Sequence, residues 1–250
     1  MLSCSNSCHE SEQRPFSLPA GEESRFADFD KKALAEMHMV NLYHRLSYKK
    51  RTEWQNPLHD GFMPRQKWFV EKILSPCSGL TLDLGCGRGL WSRKLRERGI
   101  LAIGVDSSMA RLKKCRAEGN NDNLFCASAA NLPFASDSLD TVLFLEVIEH
   151  LDEEQQDRSL REIHRVLKPR GLVVVTTPNR PVYRLIIKLH LFEYNPEHVH
   201  ELSLAEAKEM MERYFALVSV DGKLDGKLGF LDRLIPPVMC WDILVIAKKP

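Results

Sequence analysis

The sequence predicts an α/β fold with a mostly parallel sheet, and two observations carry this prediction. From Leu80 onward, short apolar runs alternate with longer amphipathic stretches, which is the pattern of βαβ units in a parallel sheet. The chain also has 250 residues, of which 44% are hydrophobic. That composition suffices for one domain, or a close pair of domains, with a full core.

Short apolar runs are predicted to be the strands of this sheet. They occupy residues 80–84, 101–105, 123–127, 139–145, 171–177, 216–221 and 241–247. A helix is predicted to begin at Asp152, because Asp152 and Gln155 have the spacing of a capping box, and to end before Pro169 and Gly171. Another helix is predicted over residues 203–214.

The composition excludes several classes of protein. The 35 basic and 34 acidic side chains leave a net charge of +1, so no global field attracts nucleic acid or an acidic membrane. An odd number of scattered cysteines, 7 in all, favours reduced thiols and a cytoplasmic setting. We find neither an apolar stretch long enough to span a bilayer nor the apolar core of a signal peptide, and therefore expect neither membrane insertion nor export.

A glycine-rich loop follows the first predicted strand. It contains Asp83, Gly85, Gly87 and Gly89 and leads into a helix, a geometry that lets backbone approach a ligand at a helix N-terminus. The G-x-G-x-G spacing differs from that of dinucleotide-binding enzymes, and no Lys-Ser or Lys-Thr pair is present to hold a triphosphate. Asp106 ends the second strand, where a carboxylate can accept hydrogen bonds from both ribose hydroxyls. The pattern therefore predicts a nucleoside ligand.

Five segments in order resemble class I S-adenosylmethionine-dependent methyltransferases. They are DLGCGRG (83–89), GVD (104–106), NLPF (131–134), EVIEHL (146–151) and RVLKPRG (165–171). The resemblance implies a Rossmann-like, seven-stranded, mostly parallel sheet with helices on both faces and an antiparallel last strand. It also implies that S-adenosylmethionine is the cofactor.

The same resemblance implies where the cofactor lies. The glycine loop would wrap the methionine part, Asp106 would hold the ribose, and Leu145 and Glu146 would lie below the sulfonium. Ser107 and Met109 would flank the adenine. The predicted cofactor-binding residues are Arg65, Asp83, Gly85, Cys86, Gly87, Gly89, Asp106, Ser107, Met109, Ser128, Ala129, Leu145 and Glu146. Ser128 stands where relatives commonly have an Asp for the adenine amino group, and a neutral acceptor binds less strongly than a charged one. We therefore expect somewhat weaker cofactor binding.

A closer resemblance reaches upstream of the glycine loop. Pro57-Leu58-His59 followed by Arg65 is similar to the segment P-L-H-x-x-N-P-x-R of the ubiquinone-biosynthesis O-methyltransferases, although Phe62-Met63 replaces its Asn-Pro. In that family the Arg pairs with the methionine carboxylate, as a guanidinium can do with two parallel hydrogen bonds. The resemblance implies this role for Arg65.

These features predict the organisation of the chain. Residues 1–25 are rich in Ser, Glu and Pro and predict a disordered tail. Residues 26–78 predict a helical N-terminal lid, and residues 79–250 the methyltransferase domain. Within that domain, residues 178–202 and 223–239 are predicted to be insertions on the substrate side.

The first insertion predicts a basic amphipathic helix. Arg180, Arg184 and Lys188 share one helical face, opposite an apolar face. Such a helix can cover the pocket or can make a peripheral membrane contact, here through residues 180–192. We expect a small, apolar or lipid-linked acceptor that is methylated on oxygen, and no nucleic acid.

Two histidines are the predicted catalytic residues. His150 and His198 can each act as a base, because neutral imidazole accepts a proton near pH 7, although each can equally be a structural residue. The same residues, with Glu146 and Glu149, resemble the metal ligands of small-RNA 3′-terminal 2′-O-methyltransferases. Those enzymes act on RNA, and this sequence has no stripe of basic residues that would bind RNA. We therefore expect no metal site. A further alternative is a cofactor-binding protein without catalysis, against which the intact glycine loop argues.

Overall fold

A computed structural model describes residues 67–119, 123–190, 194–223 and 236–250 of the chain. The predicted tail, Arg65 and most of the predicted N-terminal lid lie outside the described residues. So does much of the second predicted insertion.

The described residues alternate between strands and helices. The strands are β1 (Leu80–Leu84), β2 (Leu101–Asp106), β3 (Leu124–Cys126), β4 (Leu139–Leu145), β5 (Leu167–Pro178), β6 (Ala216–Lys223) and β7 (Asp242–Lys248). The helices are α1 (Lys67–Leu74), α2 (Leu90–Glu97), α3 (Met109–Ala117), α4 (Glu153–Val166), α5 (Arg180–Lys188) and α6 (Leu204–Glu212). Short 3₁₀ helices cover Ile148–His150 and Pro237–Met239.

These strands form a seven-stranded sheet in the order β3-β2-β1-β4-β5-β7-β6. Neighbouring strands from β3 to β5 pair in parallel, whereas β7 pairs antiparallel with both β5 and β6. The chain order reverses between β1 and β4, which is where ligands bind in open α/β sheets. The predicted Rossmann-like sheet with an antiparallel last strand is confirmed.

Alternate residues of the central strands face two apolar layers. In β4, Val142 and Phe144 pack in one buried cluster together with residues of α4 and α6. Leu143 and Leu145 pack in another cluster with residues of α1 and α2. Since successive side chains of a strand point to opposite faces, helices cover both faces of the sheet, as predicted.

Capping boxes begin two of these helices. The Asp152 carboxylate accepts from the Gln155 backbone N–H, and the Gln155 side chain accepts from the Asp152 N–H. Ser203 and Glu206 make the equivalent pair at the start of α6. Each box satisfies donors that a helix N-terminus otherwise leaves unpaired, so both predicted helix starts are confirmed.

The fifth strand begins earlier than predicted. It starts at Leu167 and passes through Pro169, which was expected to separate helix from strand. A register shift between Leu139 and Thr141 on β4 accommodates the extra residues, and Arg170 adopts a left-handed φ of 68°. Proline is tolerated in a sheet at such a bulge, where its missing N–H is not needed.

Candidate active site

The carboxyl ends of β1, β2, β4 and β5 meet at one edge of the sheet, and the loops that follow them carry the predicted site residues. Two regions can be distinguished along this edge. The cofactor region comprises the loops after β1, β2 and β3 and the residues Leu145 and Glu146. The acceptor region comprises the 3₁₀ helix Ile148–His150, Gln156 of α4, the end of β5 and the segment 194–202.

The glycine loop turns through three left-handed residues. The φ angles of Gly85, Gly87 and Gly89 are 81°, 52° and 78°, a range that disfavours residues with a Cβ. A Cβ built on Gly85 would lie 2.3 Å from a methyl group of Val147, whereas one on Gly87 meets no described atom nearer than 4.0 Å. Gly85 is therefore required by packing, while Gly87 presents bare backbone to open space.

The Asp106 carboxylate organises two loops. Its Oδ2 accepts from the Gly87 N–H at 2.9 Å and its Oδ1 from the Ser108 N–H at 2.8 Å. Each carboxylate oxygen has a further lone pair that can accept from a hydroxyl. The buried position of Asp106 at the end of β2 thus suits a ribose with two adjacent hydroxyls.

Asp83 has a structural partner rather than an open face. Its Oδ2 accepts from the backbone N–H of Ser92 at 2.8 Å and from the Ser92 hydroxyl at 2.6 Å. Burial raises the pKa of Asp83 to about 6, although the bonds from Ser92 oppose that rise. Asp83 thereby anchors α2 to β1 beneath the glycine loop, and direct contact with the cofactor stays a prediction.

The thiol of Cys86 also faces the protein. It lies beside Gly104 of β2, where a built Cβ would meet Cys86 Sγ at 3.0 Å, and burial raises its pKa. The backbone N–H groups of Gly85 and Cys86 donate to the Val105 carbonyl at 2.7 and 2.9 Å. The side chain of Cys86 is therefore packed into the protein, and its part in the loop is made through backbone.

The residues predicted to flank an adenine lie at the ends of β2 and β3. These strands are paired, with Asp106 opposite Cys126, so the segment with Ser107 and Met109 and the segment with Ser128 and Ala129 follow adjacent strand ends. Met109 is exposed at the first turn of α3. The Ser128 hydroxyl accepts from the Ala130 N–H at 3.2 Å, so Ser128 supports the turn of its own loop.

Glu146 leaves the sheet through a strained backbone. Its φ is 55° and its N–H donates to the Thr176 carbonyl at 3.0 Å. A non-glycine residue in this region costs on the order of 1–3 kcal/mol and is often found at functional sites. The turn directs Glu146 away from the sheet while Leu145 stays buried.

Glu149 is the deepest acid of the acceptor region. It is 1% exposed, and its Oε2 accepts from the Thr177 hydroxyl at 3.1 Å. Burial, reinforced by the nearby charge of Glu146, raises the pKa of Glu149 well above its ordinary value. Its Oε1 lies 4.0 Å from His150 Nε2.

Both predicted catalytic histidines are held by their Nδ1 atoms. His150 Nδ1 is 2.8 Å from the Glu197 carbonyl oxygen, and His198 Nδ1 is 3.1 Å from Glu201 Oε1. A carbonyl and a carboxylate only accept, so each Nδ1 carries a proton, and in the neutral ring Nε2 carries the lone pair. The two ring centroids are 5.1 Å apart. The structure therefore brings His150 and His198 together.

Glu149, His150 and His198 form a compact cluster. One ligand-type atom from each lies within 4.8 Å of the others. Two imidazoles and a carboxylate are a donor set that suits several divalent transition metals. Glu149 was named only in the metal-binding alternative, whereas His150 and His198 were also the predicted catalytic residues.

Several residues of this region have no signal in the sequence analysis. Gln156 and Glu201 are buried side chains that contact His200 and His198. The Thr177 hydroxyl donates to Glu149. Asn179 donates from Nδ2 to the carbonyls of Val238 and Cys240 and ties β5 to the segment before β7.

The basic face predicted for α5 is largely engaged with acids. Arg180 pairs with Glu206 at 2.7 Å, and Arg184 lies 3.5 Å from Glu201. The helix buries Tyr183, whereas Leu185 is 56% exposed. Within the part of the chain that the structure describes, no helix is long and apolar enough to cross a bilayer.

Comparisons with known proteins agree with this geometry. Residues 82–175 match the model of a family described as a methyltransferase domain. The chain is 31% identical over 159 residues to a probable S-adenosylmethionine-dependent methyltransferase of Mycolicibacterium smegmatis, covering 61% of this chain and 60% of that protein. It is 30% identical over 202 residues to the ubiquinone biosynthesis O-methyltransferase of Brucella anthropi, covering 71% of this chain and 80% of that protein.

The fold is also similar to solved structures. An S-adenosylmethionine-dependent methyltransferase from Mesorhizobium loti aligns with a TM-score of 0.59 at 21% identity, covering 75% of this chain and 99% of that chain. One from Archaeoglobus fulgidus aligns with a TM-score of 0.56 at 23% identity, covering 74% and 91%. At these identities the likeness concerns the fold alone.

Proposed function

Because the chain belongs to the S-adenosylmethionine-dependent methyltransferases, we propose that it methylates a hydroxyl group of a small, apolar or lipid-linked acceptor. The observation that carries the oxygen assignment is the pair of histidines held at Nδ1 beside the cofactor region. An imidazole with its lone pair at Nε2 can take the proton that a hydroxyl must lose. Methylation of a neutral amine needs no base of this kind.

The residues of the cofactor region fit S-adenosylmethionine. Gly87 offers backbone without a side chain, Asp106 offers a carboxylate for two hydroxyls, and Met109 offers an exposed apolar side chain for a ring. The cofactor supplies a methyl group that is already activated on a sulfonium. We therefore assign the cofactor to these residues, with Leu145 and Glu146 below the sulfonium as the resemblance implies.

The protein's own contribution is positioning and proton removal. Orienting an acceptor and excluding water lowers the barrier of a displacement reaction. Nε2 of His150 or His198 would accept the hydroxyl proton, and the Glu201 carboxylate at His198 Nδ1 would stabilise the resulting imidazolium. Glu149 is held apart from this step, because its raised pKa leaves it a poor carrier of negative charge.

The acceptor class is supported by the relatives and by the exposed apolar residues of the acceptor side. The Brucella anthropi relative is named for ubiquinone biosynthesis, and Leu185, Leu189, Val199, Val238 and Met239 expose apolar surface. We propose that this surface admits an apolar acceptor, that residues 180–192 touch a membrane peripherally, and that nucleic acid is not a partner.

The proposal is tested by tritiated methyl transfer from S-adenosylmethionine. The acceptors are a phenol with an isoprenoid tail, the same phenol without the tail, a primary amine with the tail, and a short RNA. We expect label in the tailed phenol, less in the short phenol, and none in RNA. Label in the amine alone would contradict the oxygen assignment.

A second candidate is cation-dependent transfer, which the cluster of Glu149, His150 and His198 favours. Their donor set fits a divalent ion, and such an ion would lower the pKa of a bound hydroxyl. Dialysis against a chelator, followed by addition of Mg²⁺, Mn²⁺ or Zn²⁺, separates the candidates. Turnover that survives the chelator supports the histidine base. Loss and recovery with an ion supports the cation, and recovery on RNA alone would overturn the small acceptor as well.

A further inference from the structure

The side chain of Gln156 lies at the junction of three pieces of the acceptor region. It belongs to α4 and is 0% exposed. Its Nε2 donates to the Ile148 carbonyl at 2.8 Å and to the His200 carbonyl at 2.8 Å, and its Oε1 lies 3.0 Å from His200 Nδ1. One buried amide therefore bonds the helix to the 3₁₀ turn and to the segment 194–202.

The partners determine the orientation of this amide. Two carbonyl oxygens require two donors, and only the NH₂ group of glutamine provides both. The Oε1 atom must then face His200, so His200 Nδ1 is the donor of that bond. A rotated amide would place oxygen against two carbonyls in a buried site, which costs the desolvation of every unpaired group.

Backbone bonds complete the junction. The Glu149 carbonyl accepts from the N–H groups of Val199 and His200 at 2.9 and 3.1 Å. His198 precedes these residues on one side of the junction, and His150 follows Ile148 on the other. The separation of the two imidazoles therefore depends on how the segment 194–202 is attached to the 3₁₀ turn.

We propose that Gln156 is a positioning residue that sets the spacing of His150 and His198. The proposal rests on the proposed function for the role of the two histidines, whether they act as bases or as ligands. Supporting hydrogen bonds hold reacting groups in the productive geometry, and displacing such a group by a fraction of an ångström lowers the rate strongly. Through these bonds Gln156 would act on the two imidazoles by way of the elements that carry them.

Two nearly isosteric variants test this role. Gln156→Glu keeps an acceptor for His200 but removes both donors, and Gln156→Met removes all three hydrogen bonds. The matched control is Gln155→Glu, the same substitution at the exposed neighbouring residue, whose side chain only accepts from Asp152 N–H in the capping box. Binding of S-adenosylhomocysteine by calorimetry reports that each variant is folded.

Two readouts separate positioning from a general loss of structure. ¹⁵N-histidine NMR should give His150 and His198 signals of a single Nδ1–H tautomer in the wild type and in Gln155→Glu. Both Gln156 variants should shift these signals toward mixed tautomers while binding S-adenosylhomocysteine within about threefold of wild type. In the transfer assay kcat should fall by at least about tenfold, with KM for S-adenosylmethionine nearly unchanged.

Unchanged histidine signals in a folded Gln156→Glu protein would overturn the proposal, as would a loss of kcat equal to that of Gln155→Glu. If Gln156→Glu does not fold, Gln156→Met carries the same test, since it introduces no charge. If the wild type methylates none of the acceptors, the proposed function fails, but the NMR comparison still decides whether Gln156 holds the two rings.

Discussion

The cofactor region and the acceptor region occupy the same edge of the sheet but are built differently. The cofactor region consists mainly of backbone: glycines with left-handed φ, N–H groups and one carboxylate that accepts from two of them. The acceptor region consists of side chains, because Glu149, His150, Gln156, Thr177 and His198 come from four separate elements. A site built from backbone suits a cofactor that stays the same when side chains are substituted. A site built from side chains can be adapted to a different acceptor by substituting those side chains.

The largest expected effect concerns the glycine loop. Gly85→Ala places a Cβ 2.3 Å from the stiff side chain of Val147 at a φ of 81°, and the clash and the left-handed backbone together should cost about 3–5 kcal/mol. Gly99→Ala is the control, since it has a φ of 72° and no described atom within 4 Å, and should cost only about 1–2 kcal/mol. Urea unfolding measures the loss of stability in each variant. Equal losses in Gly85→Ala and Gly99→Ala would contradict a contribution from the clash with Val147.

Ionisation of the buried Asp83 carboxyl should lower the free energy of unfolding as the pH rises. Its pKa is about 6 in the folded protein against an ordinary 3.8, so between these values the folded state binds more protons and stability falls with rising pH. Asp83→Asn removes that dependence, and the variant should gain up to roughly 3 kcal/mol relative to wild type between pH 4 and 7. Urea midpoints at several pH values measure this gain.

Asp140→Asn provides the opposite case. In the wild type, the hydrogen bond that Lys168 donates to Asp140 lowers the pKa of Asp140. The stability that the Asp140 carboxylate contributes is therefore lost as the pH falls. The difference between this variant and wild type should therefore be largest near neutral pH and shrink in acid. A parallel pH dependence for the two variants would show that burial does not govern Asp83.

Asp106→Ala separates ligand binding from folding. The loss of a charged acceptor should weaken S-adenosylmethionine by about 1.5–3 kcal/mol, measured by calorimetry. Asp140→Ala, which removes a carboxylate bonded to Lys168 and to Leu80 at the start of β1, should leave that affinity unchanged. Unchanged affinity in Asp106→Ala would contradict the ribose assignment.

The smallest effect belongs to the cap of α6. Glu206 accepts from Ser203 and from Arg180, and the bonds from Ser203 lead the causes that lower its pKa to about 2. Glu206→Ala should cost about 1 kcal/mol near neutral pH. This loss should shrink as the pH falls below the ordinary pKa of 4.5 and should vanish as the pH falls through the folded-state pKa of about 2. Glu209→Ala, an exposed position of the same helix, should change stability by less than half as much in the same unfolding experiment.

The two regions also differ in how far the sequence predicts them. Most of the strands, the capping box at Asp152 and the glycine loop were predicted, because each depends on residues close together in the chain. The convergence of His198 on Glu149 and His150 entered only as the disfavoured metal-binding alternative, because it depends on the pairing of the segment 194–202 with the 3₁₀ turn. Gln156 had no signal, since a lone glutamine on a helix does not reveal what it faces. The predicted start of β5 at Gly171 was wrong for the opposite reason, because sheet pairing from Leu167 onward overrides the local rule about proline.

The most direct measurement of the central claim is the rate of methyl transfer to the tailed phenol by wild type and by His198→Asn, with and without chelator. Asparagine keeps a polar side chain at this position but has no basic nitrogen to accept the proton. We predict that kcat is about 10²- to 10⁴-fold lower in the variant than in the wild type. The chelator should leave the kcat of the wild type unchanged, and the variant should bind S-adenosylhomocysteine as tightly as the wild type does. Equal rates for the two proteins would contradict the assignment of His198 to the reaction.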